Sequence, residues 1–230
     1  MDSRTTVILP TLNEARNIAE VIGRLLNLYP GITIIVADDG STDGTRELVA
    51  SLAKARPGIR LLDRSGAGVH GLTASVLDAV AVADAEFIVV MDADMQHPPE
   101  KVAELLGALR GSDIAVGCRM KVSRWALRRK AMSMAADLLG RAVLRARGAP
   151  ECADILSGFF AVRRELFAAA ARRNYRRFEL AGYKVLFDLL KCLPPSVRIE
   201  DVPYEFGMRR GGSSKIGTRH VLAFLRSLLR

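Results

Sequence analysis

Five short apolar runs, each breaking off at a polar, acidic or basic residue or a proline, constrain this chain more than any other feature. Thr5-Thr6-Val7-Ile8-Leu9 stops at Pro10, Ile32-Thr33-Ile34-Ile35-Val36-Ala37 at Asp38, Ile59-Arg60-Leu61-Leu62 at Asp63, Phe87-Ile88-Val89-Val90-Met91 at Asp92, and Asp113-Ile114-Ala115-Val116-Gly117-Cys118 at Arg119. Continuously apolar strands need cover on both faces, and strands that alternate with helices pair in parallel. The expected fold class is α/β, a Rossmann-like, mostly parallel sheet with flanking helices. Ile18, Val21, Ile22, Leu25 and Leu26 fall at helical spacing, with Asn13 as the expected cap and Pro30-Gly31 as the stop. Further helices are expected through Leu48, Val49 and Leu52, from Leu72 to Ala83, from Pro98-Pro99-Glu100 onward, from Trp125 to Arg147 and from Gly182 to Leu193. Two later strands are expected, one leaving Ser157-Gly158 and one from Val197 to Pro203.

Ligands of an open α/β sheet bind beyond the carboxyl ends of its strands. That edge collects Asn13 and Glu14, Asp38 and Asp39, Asp92, and Arg119. In an extended backbone Asp92, Asp94 and Gln96 all point the same way. Two carboxylates and an amide oxygen suit a hard divalent cation, Mg²⁺ or Mn²⁺, and leave positions for substrate phosphates. Asp-x-Asp alone is common and fits a turn that caps the next helix equally well. His97, beside Pro98-Pro99, reads as a helix-start residue, His70 lies in a glycine loop and His220 on the C-terminal tail, so catalysis is assigned to none of them. No Gly-x-Gly-x-x-Gly follows the first strand, and Gly66, Gly68 and Gly71 lack a following Gly-Lys-Ser/Thr, which argues against a dinucleotide site and excludes a P-loop.

At 230 residues the chain fits one domain with a core of its own. No run of 18 apolar residues occurs, and Met1-Asp2-Ser3-Arg4 does not open a secretion signal, so neither a span nor export is expected. Cys118, Cys152 and Cys192 fit neither a metal knuckle nor a disulfide framework, which suits a reducing compartment. Residues 1–118 carry 10 basic and 16 acidic groups and residues 119–230 carry 24 and 9, so the halves are about −6 and +15. A basic half suits nucleic acid, an anionic membrane surface or phosphorylated substrates, and charge does not choose among them. Scattered arginine with one Trp and no aromatic-glycine pattern speaks against RNA.

Several ordered motifs make the choice. Pro10-Thr11-Leu12-Asn13-Glu14, Asp38-Asp39-Gly40-Ser41-Thr42-Asp43-Gly44-Thr45 and Asp92-Ala93-Asp94-Met95-Gln96-His97-Pro98-Pro99 resemble the family 2 glycosyltransferases of GT-A fold. More narrowly they resemble the dolichol-phosphate mannose synthase group. The resemblance runs on through Ser157-Gly158-Phe159-Phe160, Gly182-Tyr183-Lys184 and Phe206 to Lys215. It implies a GT-A domain over residues 1–215, with a nucleotide-binding half at 1–118 and an acceptor half at 119–215, followed by an amphipathic, membrane-interface helix at 216–230, whose Leu222, Leu225, Leu228 and Leu229 are expected on one side.

The resemblance also implies an activity and a site. GDP-mannose is the implied donor and dolichyl or another polyprenyl phosphate the acceptor, with UDP-glucose as the alternative donor and a non-catalytic binding module on the same scaffold as the alternative class. No nucleic acid is expected. Pro10, Leu12, Glu14, Asp39 and Asp92 are the implied nucleotide site, Asp92, Asp94 and Gln96 the Mg²⁺ or Mn²⁺ site, and Asp94, Arg119, Arg209 and Lys215 the catalytic set. Arg209, Gly212, Ser214 and Lys215 match a mobile segment expected to close over the donor diphosphate. Arg129 and Ser133, four apart on one helical face, are implied with Arg119 to hold the lipid phosphate. Ser157-Gly158-Phe159 is implied to lie beside the donor sugar.

Hydroxyl-acceptor relatives carry a Glu-Asp pair at the start of a helix, whereas Glu200-Asp201 here precedes Pro203 on an expected strand. Lys121-Val122-Ser123-Arg124-Trp125 lacks the Gln of the processive Gln-x-x-Arg-Trp motif. Both departures favour one inverting transfer to a phosphate that needs no general base. The expected location is the cytoplasmic face of a membrane, held peripherally, by a partner's anchor, or by an anchor beyond residue 230, since some relatives stop near this point and others carry transmembrane helices.

Overall fold

The computed structural model describes residues 4–120, 127–207 and 217–230, with residues 127–130 described by backbone alone. Seven strands, β1 (Thr5–Thr11), β2 (Thr33–Asp38), β3 (Ile59–Asp63), β4 (Phe87–Val90), β5 (Ile114–Arg119), β6 (Phe160–Arg163) and β7 (Ile199–Tyr204), form one sheet in the order β3-β2-β1-β4-β6-β5-β7. The described residues also form eight α-helices: α1 (Ile18–Leu28), α2 (Thr45–Ala55), α3 (Leu72–Val82), α4 (Val102–Ala108), α5 (Leu127–Ala146), α6 (Arg164–Asn174), α7 (Val185–Leu190) and α8 (Thr218–Leu229).

Alternation along the strands divides the core into two layers. Val7, Leu9, Ile34, Val36, Val89 and Met91 face α1 and α4, while Ile8, Ile35, Ala37, Ile88 and Val90 face α3 and α7. All eleven are essentially inaccessible to water. Each of the larger ones contributes roughly 1.5–3 kcal/mol by burial, which makes a two-faced sheet the stable solution for strands with no polar side.

Every neighbouring pair is parallel except at β6, which runs antiparallel to both β4 and β5. The reversal matters for position. The residues that precede β6, Asp154 and Ser157-Gly158, therefore arrive at the same edge that β4 and β5 reach with their carboxyl ends. Ser157 Oγ donates to Gly117 O at 2.7 Å and receives Phe159 N at 3.1 Å, which stitches that approach to β5.

Four local expectations are corrected. Asn13 does not cap α1, which starts at Ile18; at φ +54 it donates its N–H to Ser41 Oγ (2.7 Å) and accepts from Thr42 N (2.8 Å), so its polar groups serve a neighbouring loop. The helix expected from Gly182 shrinks to Val185–Leu190, because Leu180 O and Gly182 O accept the first-turn N–H groups of Ala74 and Thr73 at the start of α3, both at 3.1 Å. Extended alternation does not continue past β4, since Met95 turns the chain at φ +66. On α8, Leu228 packs inward with Phe224, away from exposed Leu222, Leu225 and Leu229, so its apolar residues occupy two sides rather than one.

Candidate active site

The loops after β1 and β2 are built as one unit. Asp38, fully buried, accepts from Gly40 N, Ser41 N, Ser41 Oγ and Thr11 Oγ1, which consumes its carboxylate in a turn. Asp43 receives Ala15 N at 3.0 Å and Thr45 N at 3.1 Å, and Thr45 Oγ1 receives Glu14 N at 2.9 Å. These bonds hold Asp43 below the usual carboxylate range against the opposing effect of burial. Asp39 sits next to this staple with Arg64 paired to it, Gly71 N donating at 2.7 Å and His70 Nδ1 at 3.1 Å. Arg64 is buried and also binds Asp78 and Ser75, so the acidic loop is anchored to α3.

Beyond β4 the turn brings Asp92, Asp94 and Gln96 to the wall of one cavity of about 610 Å³. Asp94 is buried and accepts Gln96 N at 3.0 Å, whereas the Asp92 side chain is about one-third exposed. Gln96 Nε2 donates to Gly207 O at 3.2 Å and Gln96 O receives Gly207 N at 3.1 Å, which joins this turn to the residues after β7. Among the described residues no three His, Cys, Asp or Glu side chains form a metal cage. Two carboxylates and an amide oxygen on one cavity wall remain a fitting donor set for Mg²⁺ or Mn²⁺.

His97 stands just before the turn that opens the next helix, as expected, but its side chain reaches back to Asp92. Its ring is buried, stacks on Phe159 at 5.1 Å and accepts Asp92 N–H at Nδ1 over 2.9 Å. Burial pushes its pKa down to about 4, so the imidazole is neutral at pH 7.

Arg119, at the end of β5, completes this side of the cavity. Its Nε and Nη2 donate to Asp154 at 2.6 and 2.8 Å, and its guanidinium lies 5.7 Å from the Phe206 ring centre. The bidentate pair fixes the plane of the guanidinium. The far wall comes from Ala181, Gly182, Tyr183 and Lys184, with His220 of α8. Gly71 is required behind that wall: at φ +152, a Cβ there would meet Leu180 O at 2.4 Å. Lys184 Nζ donates to Leu156 O at 2.8 Å, and the Tyr183 and His220 rings meet edge to face at 5.2 Å.

Of the expected site residues, Pro10, Leu12, Glu14, Asp39, Asp92, Asp94, Gln96 and Arg119 line this one cavity. Ser133 lies half-buried on α5 and is not part of the lining. The side chain of Arg129 and all of Arg209 and Lys215 fall outside the described residues, as does the Lys121–Trp125 stretch. Gly71, Leu156 and His220 also line the cavity, and none was a sequence candidate. The glycine loop was the only signal for Gly71; nothing in the local pattern marks Leu156 or His220.

The chain is 35% identical over 237 residues to the dolichol-phosphate mannosyltransferase of Pyrococcus furiosus, covering 99% of this chain and 63% of that protein, so it spans less than two-thirds of that relative's length. It is 31% identical over 242 residues to the Saccharomyces cerevisiae dolichol-phosphate mannosyltransferase, covering 99% of this chain and 86% of the yeast protein. The glucosyl-3-phosphoglycerate synthase of Mycobacterium tuberculosis, solved with phosphoglyceric acid, superposes at a TM-score of 0.66 with 25% identity over 98% of this chain and 78% of its own. The same synthase solved with Mn²⁺, UDP and glucosyl-3-phosphoglycerate superposes at 0.65 with 23% identity, over 98% and 77% of the two chains, and shares the fold. The Glycosyl transferase family 2 profile matches residues 6–169, and with a mostly parallel GT-A sheet whose carboxyl edge carries the acidic turn, this chain belongs to glycosyl transferase family 2.

Proposed function

We propose that this chain transfers one mannose, with inversion, from GDP-mannose to dolichyl or another polyprenyl phosphate at a membrane surface. The observation that carries the reading is the meeting, in one cavity, of the acidic turn Asp92–Gln96, Arg119 and the loops after β1 and β2. Pro10, Leu12, Glu14 and Asp39 border the nucleoside end, and Asp92, Asp94 and Gln96 would hold Mg²⁺ or Mn²⁺ to serve the diphosphate. When bound, the cation neutralises charge on the departing group. The Mn²⁺ and UDP held by the mycobacterial synthase support a divalent ion in this fold, and the named mannosyltransferases support the sugar and the lipid.

Arg119 grips the acceptor phosphate. A phosphate oxygen attacks the anomeric carbon as the bond to the diphosphate breaks, and GDP leaves with the bonding pair. The acceptor is anionic at pH 7, so no proton has to be removed. Glu200 and Asp201 fit that economy: both are exposed on β7, outside the cavity lining, and Asp201 accepts from Cys118 Sγ at 3.2 Å and Ala153 N at 3.0 Å. Arg129 and Ser133 belong to the acceptor side of this reading, and Arg209 and Lys215 to its diphosphate side.

The domain extends over residues 1–215, and α8 rests at the cytoplasmic face of the membrane through Leu222, Leu225 and Leu229. No described helix is long and apolar enough to cross a membrane. The test is incubation with Mn²⁺, polyprenyl phosphate and a panel of labelled nucleotide sugars, followed by lipid extraction. Label entering lipid from GDP-mannose alone is the expected result; entry from UDP-glucose replaces the donor, and no transfer from any sugar sinks the proposal.

A further inference from the structure

We propose that His97 is a positioning residue that presents Asp92 to a divalent cation, an inference that rests on the metal reading of Asp92, Asp94 and Gln96. A helix-start role leaves the geometry unexplained. The short turn that opens the next helix is capped by Pro98 without any side-chain bond, while the His97 side chain reaches back to Asp92.

His97 Nδ1 accepts the Asp92 N–H at 2.9 Å, which closes a ring of backbone around the acidic turn. An accepting nitrogen carries no proton, so the hydrogen bond itself puts the ring proton on Nε2. That nitrogen lies 3.8 Å from Asp92 Oδ2. The distance is too long for a hydrogen bond, yet it places the positive edge of the ring toward the carboxylate. One histidine thus holds the main chain of Asp92 and faces its side chain.

The ring itself has little freedom. Phe159 stacks on it with an interplanar angle of 11°, and Tyr204 and Phe206 meet it edge-on at 5.9 and 6.0 Å. Gly158 closes the other side: a Cβ there would stand 3.3 Å from His97 Cε1 and 3.5 Å from both Asp92 carboxylate oxygens. The Asp92 side chain is 37% exposed, whereas Asp94 is buried and accepts Gln96 N within its own turn. An exposed carboxylate samples rotamers unless its surroundings choose one, and groups that orient a ligand are commonly worth roughly 10–100-fold in metal affinity.

The test compares His97→Phe, which keeps the stack and removes the acceptor, with His97→Asn, whose amide oxygen can take the place of Nδ1. Mn²⁺ binding is read by electron paramagnetic resonance with and without GDP or UDP, and thermal midpoints are read in EDTA. His97→Phe is expected to weaken Mn²⁺ binding roughly 10–100-fold, and His97→Asn to stay closer to wild type. A merely structural role lowers both midpoints and leaves the folded protein's Mn²⁺ affinity unchanged, which overturns the proposal. Equal loss in the two variants overturns it too, because Asn retains the acceptor. Wild-type protein that binds no Mn²⁺ under any of these conditions removes the metal reading itself, an outcome distinct from normal binding in His97→Phe.

Discussion

Asp188→Ala tests how the C-terminal helix is fastened to the wall of the cavity. Asp188 and Lys191 on and after α7 are buried together, with Lys191 Nζ 2.8 Å from Asp188 Oδ1 and its side chain wholly shielded from water. Lys191 also donates to Ser227 O at 2.6 Å, Ser227 Oγ at 3.1 Å and Arg177 O at 3.2 Å. The other carboxylate oxygen receives Glu179 N at 3.1 Å, immediately before the wall segment. Removing the carboxylate leaves the ammonium without its counter-ion and takes away the acceptor of Glu179 N and of Ser227 Oγ. Losing one partner of a buried pair costs about 3–5 kcal/mol. A ceiling comes from the alternative of discharging the lysine, which at pH 7 costs about 4.6 kcal/mol for a reference pKa near 10.4. At ~2–4 °C per kcal/mol for a domain of this size, the melting point drops by roughly 6–18 °C.

The sign of the pH response is fixed as well. Burial already holds the Lys191 pKa below its ordinary value against the raising effect of Asp188, and the variant drops it further. The unfolded variant then binds more protons than the folded one, so its deficit shrinks from pH 7 toward pH 9. Urea unfolding of wild type, Asp188→Ala and the double variant Asp188→Leu/Lys191→Met at both pH values decides the matter. The double variant should recover most of the loss, because apolar replacement of a buried pair is often neutral. A loss within about 1 kcal/mol, the range of exposed pairs, or a double variant as unstable as the single, would refute the argument.

Other consequences are as direct. Gly71→Ala forces a side chain into Leu180 O at a backbone angle favouring glycine, and should cost more than about 2 kcal/mol and raise the KM for nucleotide sugar by displacing the 180–184 wall, read by melting and steady-state kinetics. Arg119→Lys loses the fork to Asp154 and should lower kcat/KM for polyprenyl phosphate by roughly 10²-fold or more; unchanged kinetics remove Arg119 from the acceptor site. Cys118, whose thiol burial and Asp201 push up to about 12, should resist iodoacetamide at pH 8 until the protein unfolds, as mass spectrometry of the labelled chain will report. Replacing Leu222, Leu225 and Leu229 together by Ser should release the protein from sedimenting vesicles without a large change in melting point, since all three are exposed.

Strand existence and the acidic edge were legible because both are local. Apolar runs such as Ile32–Ala37 demand burial on two faces, and a run that ends at Asp92 can only deliver that residue to the strand's carboxyl end. The spaced motifs placed eight of the expected site residues, all of which line one cavity. Tertiary structure decided what depends on partners distant in sequence. No local pattern announces that β6 enters the sheet reversed, yet that reversal brings Gly158 against Asp92. Asn13 was misassigned because a cap and a loop staple use the same amide, and the competing acceptor and donor lie near residue 41. Residues 180–182 have helical neighbours, but their carbonyls are claimed by α3. His97 looked like a helix-start residue because its partner Asp92 lies behind it and the rings that clamp it come from β7, its flank and the residue before β6. Periodicity in a chain encodes which face is apolar; which donor meets which acceptor is settled only when the sheet brings them together.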